Sequence, residues 1–176
     1  MFFVGNQVQN QLYLNLGGLK FDNISKSAGI EAVNKGWHTG VSMSDINGDG
    51  FLDIYVCRSG SADHVGGMPN LLYINQRDNT FKESAKEYGL DDPKRSVQSA
   101  FFDYDHDGDI DVLVINHVKN FSYLSKNKER DATSNSLYRN DNGKFTNVSL
   151  EAKIVDYGFS LGIAISDLNN DGWPDI

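Results

Sequence analysis

At 176 residues, with 17 glycines, 10 phenylalanines, 8 tyrosines and a formal charge of −8, the chain is long enough for one ordinary domain and has the composition of short strands joined by turns. Its 16 Lys and Arg gather on no stripe, which excludes the basic face of a nucleic-acid binder, and no apolar run approaches the ~20 residues of a membrane-spanning helix. A single cysteine, Cys57, excludes an internal disulfide framework, and Met1-Phe-Phe-Val-Gly5 lacks the cationic flank and cleavage region of a secretion signal.

In chain order, Asn10-Gln-Leu12-Tyr13-Leu-Asn15 is followed by a turn, Phe21 and Ser25. A strand over 37–44 then runs into the acidic loop Asp45-Ile-Asn47-Gly-Asp49-Gly50-Phe51-Leu-Asp53. Short β-branched and aromatic runs place further strands at 54–57, 71–75 and 81–84, with a short helical connection over 85–90. Cys57 lies in the second of these runs, as a buried, inert thiol. The pattern returns with strands at 97–102, 112–115, 136–140 and 144–148 around Asp103-Tyr-Asp105-His-Asp107-Gly108-Asp109-Ile-Asp111. A third strand-one segment, Gly162-Ile-Ala-Ile-Ser166, leads into Asp167-Leu-Asn169-Asn-Asp171-Gly172-Trp173-Pro-Asp175.

Two unrelated motifs share one period. Asn-x-Leu-Tyr-x-Asn recurs at Asn10, Asn70 and Asn135, spaced by 60 and 65 residues, and the acidic loops are spaced by 58 and 64. Four antiparallel strands per period is the pattern of a β-propeller blade. The expected fold is therefore all-β: a partial propeller of about three four-stranded blades in an open arc, with the acidic loops in the strand one–two hairpins. Residues 1–35 form a partial blade, 36–95 and 96–156 two complete blades, and 157–176 the start of another. The chain is thus expected to be a portion of a larger propeller, so its lack of a signal peptide says nothing about compartment.

Crowded carboxylates raise one another's pKa unless a cation stands among them. Hard oxygen donors at loop positions 1, 3, 5, 7 and 9, with glycine at position 6, suit Ca²⁺, which accepts six to eight oxygens in irregular geometry. The candidate ligands are Asp45, Asn47, Asp49, Phe51 and Asp53 in the first loop; Asp103, Asp105, Asp107, Asp109 and Asp111 in the middle loop; and Asp167, Asn169, Asp171, Trp173 and Asp175 in the third. Position 7 contributes its backbone carbonyl. Position 12 is Val56 or Val114 rather than Glu, and the flanks are β-like, so an EF-hand is excluded. Up to three Ca²⁺ would offset most of the net charge, since 11 of the 24 acidic residues lie in these loops. The middle loop carries one more carboxylate among its side-chain ligands than either outer loop, which favours its affinity.

These loops, with Gly36-Trp-His-Thr-Gly40 and Gly158-Phe-Ser-Leu-Gly162 before them, resemble the FG-GAP/VCBS repeat. The Asn-x-Leu-Tyr-x-Asn segments resemble its ASPIC/UnbV and cartilage-acidic-protein subgroup. The resemblance implies a seven- or eight-bladed propeller with Ca²⁺ in the loops of one face, as in integrin α-subunit heads, and a setting outside the cytoplasm: extracellular, periplasmic or on the cell surface. The middle repeat departs from the pattern, with Lys94-Arg-Ser-Val-Gln98 in place of the glycine pair.

Gly158-Phe-Ser160-Leu-Gly162 also matches the G-x-S-x-G nucleophile elbow, but that motif needs a strand-turn-helix context. Its serine is one variant of a repeated position held elsewhere by His38 and Ser96. His38, His64, His106 and His117 form no metal-binding pair, and solvated or packed histidine is the ordinary state for each. Asn23, Asn120 and Asn147 satisfy the glycosylation triplet, a pattern short enough to arise by chance. The long connections 58–69 and 116–134, the second with Lys119, Phe121, Tyr123, Lys126, Lys128 and Arg130, read first as variable, solvated insertions; if any segment touches a ligand, it is one of these. The leading expectation is a non-enzymatic propeller segment for binding or adhesion, its partner an extracellular protein or a carbohydrate and its Ca²⁺ structural. The alternative is the propeller portion of a secreted carbohydrate-active enzyme whose catalytic residues lie elsewhere; an intracellular scaffold fits low free Ca²⁺ poorly.

Overall fold

The computed structural model describes residues 1–6, 8–30, 36–60, 68–117, 134–155 and 158–176. Most of the two long connections, with His64, Asn120 and the basic residues 119–130, lies outside the described residues. Among the described residues the only helix is one turn, α1 (Ala85–Tyr88), closed by Gly89 in the left-handed conformation.

The strands form three antiparallel meanders. The first sheet is β1 (Phe2–Phe3), β2 (Gln11–Gly17) and β3 (Lys20–Asn23). The second is β4 (His38–Ser44), β5 (Asp53–Arg58), β6 (Leu71–Asn75) and β7 (Phe81–Glu83). The third is β8 (Ser96–Phe102), β9 (Asp111–Asn116), β10 (Ser136–Asn140) and β11 (Phe145–Asn147). The expected all-β, partial-propeller architecture is the one observed.

Sheet faces pack on one another, and side chains alternate between the two seams. Ile54, Val56, Leu71 and Tyr73 face the first sheet, meeting Phe2, Leu12, Ala28 and Ile30. Tyr55, Cys57, Leu72 and Ile74 face the third, meeting Val112, Val114, Tyr138 and Phe145. Because β5 and β9 are covered on both faces, every residue in them is buried, which is why their sequences read as continuous apolar runs. The strand-one segments lie side by side: Ser42 Oγ donates to the Ser99 carbonyl at 2.7 Å, and Thr39 Oγ1 to the Ser96 carbonyl at 2.8 Å. Gly40 is required at this seam, since a Cβ there would meet the Val97 carbonyl at 2.4 Å. The equivalent Gln98 replaces glycine without disturbing its strand: β4 and β8 pair with β5 and β9 over matching registers, each with a shift at the same place.

The repeated asparagines close the ladders. Asn10, Asn70 and Asn135 accept the N–H of Gly5, Arg58 and Asn116 respectively, where strand two ends. At the other end of strand three, Asn75 and Asn140 donate to the carbonyls of Leu52 and Ile110, binding that strand to the acidic loop. Ser25 and Ser149 accept the N–H of Leu12 and Leu137, a task that Glu83 performs for Leu72 in the second sheet. Ser25 and Ser149 also donate to Asn23 and Asn147, so two of the glycosylation triplets serve as local turn fasteners.

One expected strand is absent. Residues 162–166 form no ladder, only an isolated bridge between Ser166 and Asp175. β4 and β8, by contrast, are held by full ladders to β5 and β9.

Candidate metal centres

Each acidic loop bridges the start of strand two back to strand one, and backbone N–H groups shape it. The position-9 aspartates act as scaffold. Asp53 and Asp111 are fully buried, each with one oxygen on a loop N–H (Ile46, 3.0 Å; Tyr104, 2.9 Å) and the other on the N–H ending strand three (Asn75 and Asn140, both 2.8 Å). Asp175 holds Leu168 N–H in the same way at 2.9 Å. Desolvation raises Asp53, against two backbone hydrogen bonds, with Asp49 and Asp45 adding to the rise. Burial likewise pushes Asp111 up to about 6, with Asp105 and Asp107 reinforcing it.

At position 1, Asp45 accepts the N–H of Asp49 and Gly50, and Asp167 those of Asp171 and Gly172. Asn47 and Asn169 at position 3 fold back on Asp49 and Asp171. At position 5, Asp49, Asp107 and Asp171 accept the N–H of Phe51, Asp109 and Trp173. The outer two loops share all of these bonds, and the middle loop shares those at positions 5 and 9.

The middle loop differs in its unsatisfied oxygens. Carboxylate oxygens of Asp103, Asp105 and Asp111 lie within 4.8 Å of one another. Asp103 has one oxygen on Gly108 N–H, while its Oδ1 and the Oδ1 of Asp105 are buried without a hydrogen-bond partner. Buried polar atoms are ordinarily paired, so two orphaned anionic oxygens facing a third carboxylate constitute a place for a cation. Asp107 and Asp109 lie outside this cluster; Asp109 reaches across to accept Asn142 N–H at 2.9 Å. All-oxygen hard donors fit Ca²⁺.

In the first loop, Arg77 Nε stands 3.3 Å from Asp49 Oδ2, and its guanidinium lies 5.7 Å from the Phe51 ring centre. Desolvation would raise Asp49, but the Phe51 N–H, Arg77 and Asn47 together hold it below its ordinary value. Arg77 escapes sequence reasoning because it sits in the next turn, and only the fold of the sheet brings it beneath the loop. His106, expected to be solvated or packed, stacks on Trp173 across to the third loop, with ring centres 4.3 Å apart.

No catalytic constellation surrounds the elbow-like motif among the described residues: Ser160 Oγ donates to Asn135 at 3.2 Å and no helix follows. Burial pushes the Cys57 thiol up to about 12, as expected of an inert cysteine. A buried polar network in the second seam, in which Asn70 donates to Tyr55 and Ser96 while Asp92 accepts from Tyr138 and Ser136, has no counterpart in the sequence reading except Asn70 itself.

Two four-stranded meanders packed face to face, each with an acidic loop in its first hairpin, define a propeller-like repeat. The FG-GAP-like repeat pattern matches residues 2–56, 59–114 and 124–176, and the chain belongs to that family. It is also similar to cartilage acidic protein 1 of mouse and of human, 31% identical to each over 101 residues, or 57% of this chain. The chain spans only 14% of the length of those relatives.

Proposed function

We propose that this chain is a calcium-stabilised portion of a β-propeller serving binding or adhesion outside the cytoplasm, with no catalytic role of its own. The observation that carries the reading is the meeting of Asp103, Asp105 and Asp111 within 4.8 Å, two of them with buried, unpartnered oxygens. An ion there would neutralise the cluster and tie strand one to strand two. The matching hydrogen bonds of the outer loops support up to three Ca²⁺, held by Asp45, Asn47, Asp49 and Asp53 in the first and Asp167, Asn169, Asp171 and Asp175 in the third. The partner would be an extracellular protein or a carbohydrate, in keeping with the family's frequent location outside cells.

Calorimetric titration with CaCl₂, paired with thermal melts in EDTA and in millimolar Ca²⁺, tests this. Extracellular modules bind Ca²⁺ at about 10⁻⁴–10⁻³ M, so melting should rise by several degrees at about 10 mM, and less with Mg²⁺. Absence of both heat and shift at that concentration would remove the calcium reading.

A further inference from the structure

The seams between neighbouring acidic loops are built differently. Between the first and middle loops, position 4 of one is Gly48 and position 7 of the other is Asp109. Neither carries a ring, and a cavity of about 520 Å³ opens there, lined by Asp45, Asn47, Tyr88, Asp109 and Asn142 among others. Between the middle and third loops the same positions hold His106 and Trp173. Their rings are parallel within 7° and 4.3 Å apart at their centres.

Position 4 has positive φ in every loop: 69° at Gly48, 60° at His106 and 59° at Asn170. Glycine and asparagine are the ordinary occupants of that conformation. Histidine, like asparagine, enters that conformation more readily than most side chains, so His106 is free to place its ring across the seam.

Asp167, Asn169 and Asp171 of the third loop are all exposed, and one isolated bridge joins its flanks. Trp173 N–H donates to Asp171 Oδ1 at 2.9 Å, so the position of Trp173 sets that of a candidate ligand. His106 stands between Asp105 and Asp107, inside the middle loop.

We propose that His106 and Trp173 are positioning residues for the third ion site, coupling it to the middle one; this rests on the calcium reading above. An ion in the middle loop fixes the backbone at His106. The stacked ring fixes Trp173, and Trp173 holds Asp171 in place. By linkage the effect is reciprocal, so an ion in the third loop tightens the middle site by the same factor.

The test uses the whole 176-residue chain, titrated with CaCl₂ by calorimetry and by Trp173 fluorescence in a Trp37→Phe background. Asp171→Ala identifies which event belongs to the third site. His106→Asn keeps the left-handed backbone and removes the ring. It should weaken the third site about three- to tenfold, the range an aromatic stack supplies, and leave the first site unchanged. Trp173→Leu should do the same, and Trp173→Phe, which retains a ring, should preserve the affinity. Asp105→Ala, which removes the middle ion, should weaken the third site in the parent and add nothing in the His106→Asn variant. Third-site affinity within twofold of the parent in His106→Asn overturns the coupling while leaving the calcium reading standing. Absence of calcium binding in the parent overturns both.

Discussion

Asp105 and Asp111 occupy one loop and carry opposite energetic burdens. Asp111 is fully buried, and both its oxygens hold backbone N–H groups, of Tyr104 and Asn140. Asp105 has a buried Oδ1 with no partner, and its charge pushes Asp111 further up. Removing Asp111 strands two donors, each costing about 1–3 kcal/mol when left unpaired in the interior. Asp111→Ala should therefore lose roughly 2–4 kcal/mol of stability in EDTA as well as in Ca²⁺. Asp105→Ala should leave stability in EDTA unchanged or slightly higher, because a repulsion is gone, and should abolish the middle loop's share of the calcium-induced gain. Urea denaturation of both variants with and without Ca²⁺ distinguishes them. Equal losses for the two in EDTA would show that the division into scaffold and ligand is mistaken.

At the scale of elements, most of the strands were legible because burial imposes a period. Ile54-Tyr55-Val56-Cys57 alternates between two seams, and its β-branched and aromatic content marks it as a strand. β6 and β10 match expectation residue for residue, since Asn bounds each end and those asparagines cap real ladders. In the middle loop the aspartate spacing brings Asp103, Asp105 and Asp111 together, whereas Asp107 and Asp109 stay outside the cluster. The strand expected at 162–166 failed because pairing is non-local: its residues suit a strand, but a ladder needs a partner. Arg77 beneath Asp49, and the buried cluster of Asp92 with Tyr138, were illegible because only packing between distant segments brings those groups together. The capping role yields a prediction of its own. Asn70 accepts Arg58 N–H and donates to Tyr55 and Ser96, whereas the buried Nδ2 of Asn10 has no partner. Asn70→Ala should thus cost about 2–4 kcal/mol and Asn10→Ala about 1–2 kcal/mol. Equilibrium unfolding of the two variants checks the order, and a larger loss for Asn10→Ala would contradict it.

Across the whole molecule, the two seams are fastened by different chemistry, and this makes one of them sensitive to acid. The seam between the second and third sheets is tied by hydroxyl and amide groups, such as Ser42 on Ser99 and Asn70 on Ser96. The seam between the first and second sheets is built on an apolar cluster that includes Tyr73, and beside it His38 Nδ1 lies 3.1 Å from the Gly5 carbonyl while its Nε2 is buried without a partner. Burial lowers the His38 pKa from 6.5, and the Arg58 charge lowers it further, against a smaller opposing effect of the Gly5 hydrogen bond. The unfolded chain therefore takes up this proton more readily than the folded one. The contribution of neutral His38 is intact above pH 6.5 and is lost as pH falls from 6.5 toward the depressed folded value. Stability measured in EDTA should consequently fall between about pH 7 and pH 5, with Trp37, the residue before His38, reporting the change by fluorescence. Asp111, raised to about 6, acts in the opposite sense: its contribution is present below pH 3.8 and is lost as pH rises through 6. The His38 part must therefore be isolated by difference. His38→Ser, which installs the residue that Ser96 and Ser160 already place at this position of their repeats, removes the proton uptake and leaves Asp111 untouched. The difference in unfolding free energy between parent and variant should narrow steadily as pH is lowered across that window. A difference constant from pH 8 to pH 5 would mean that His38 remains neutral, or is charged equally in both states, and that the first seam gains nothing from its deprotonation.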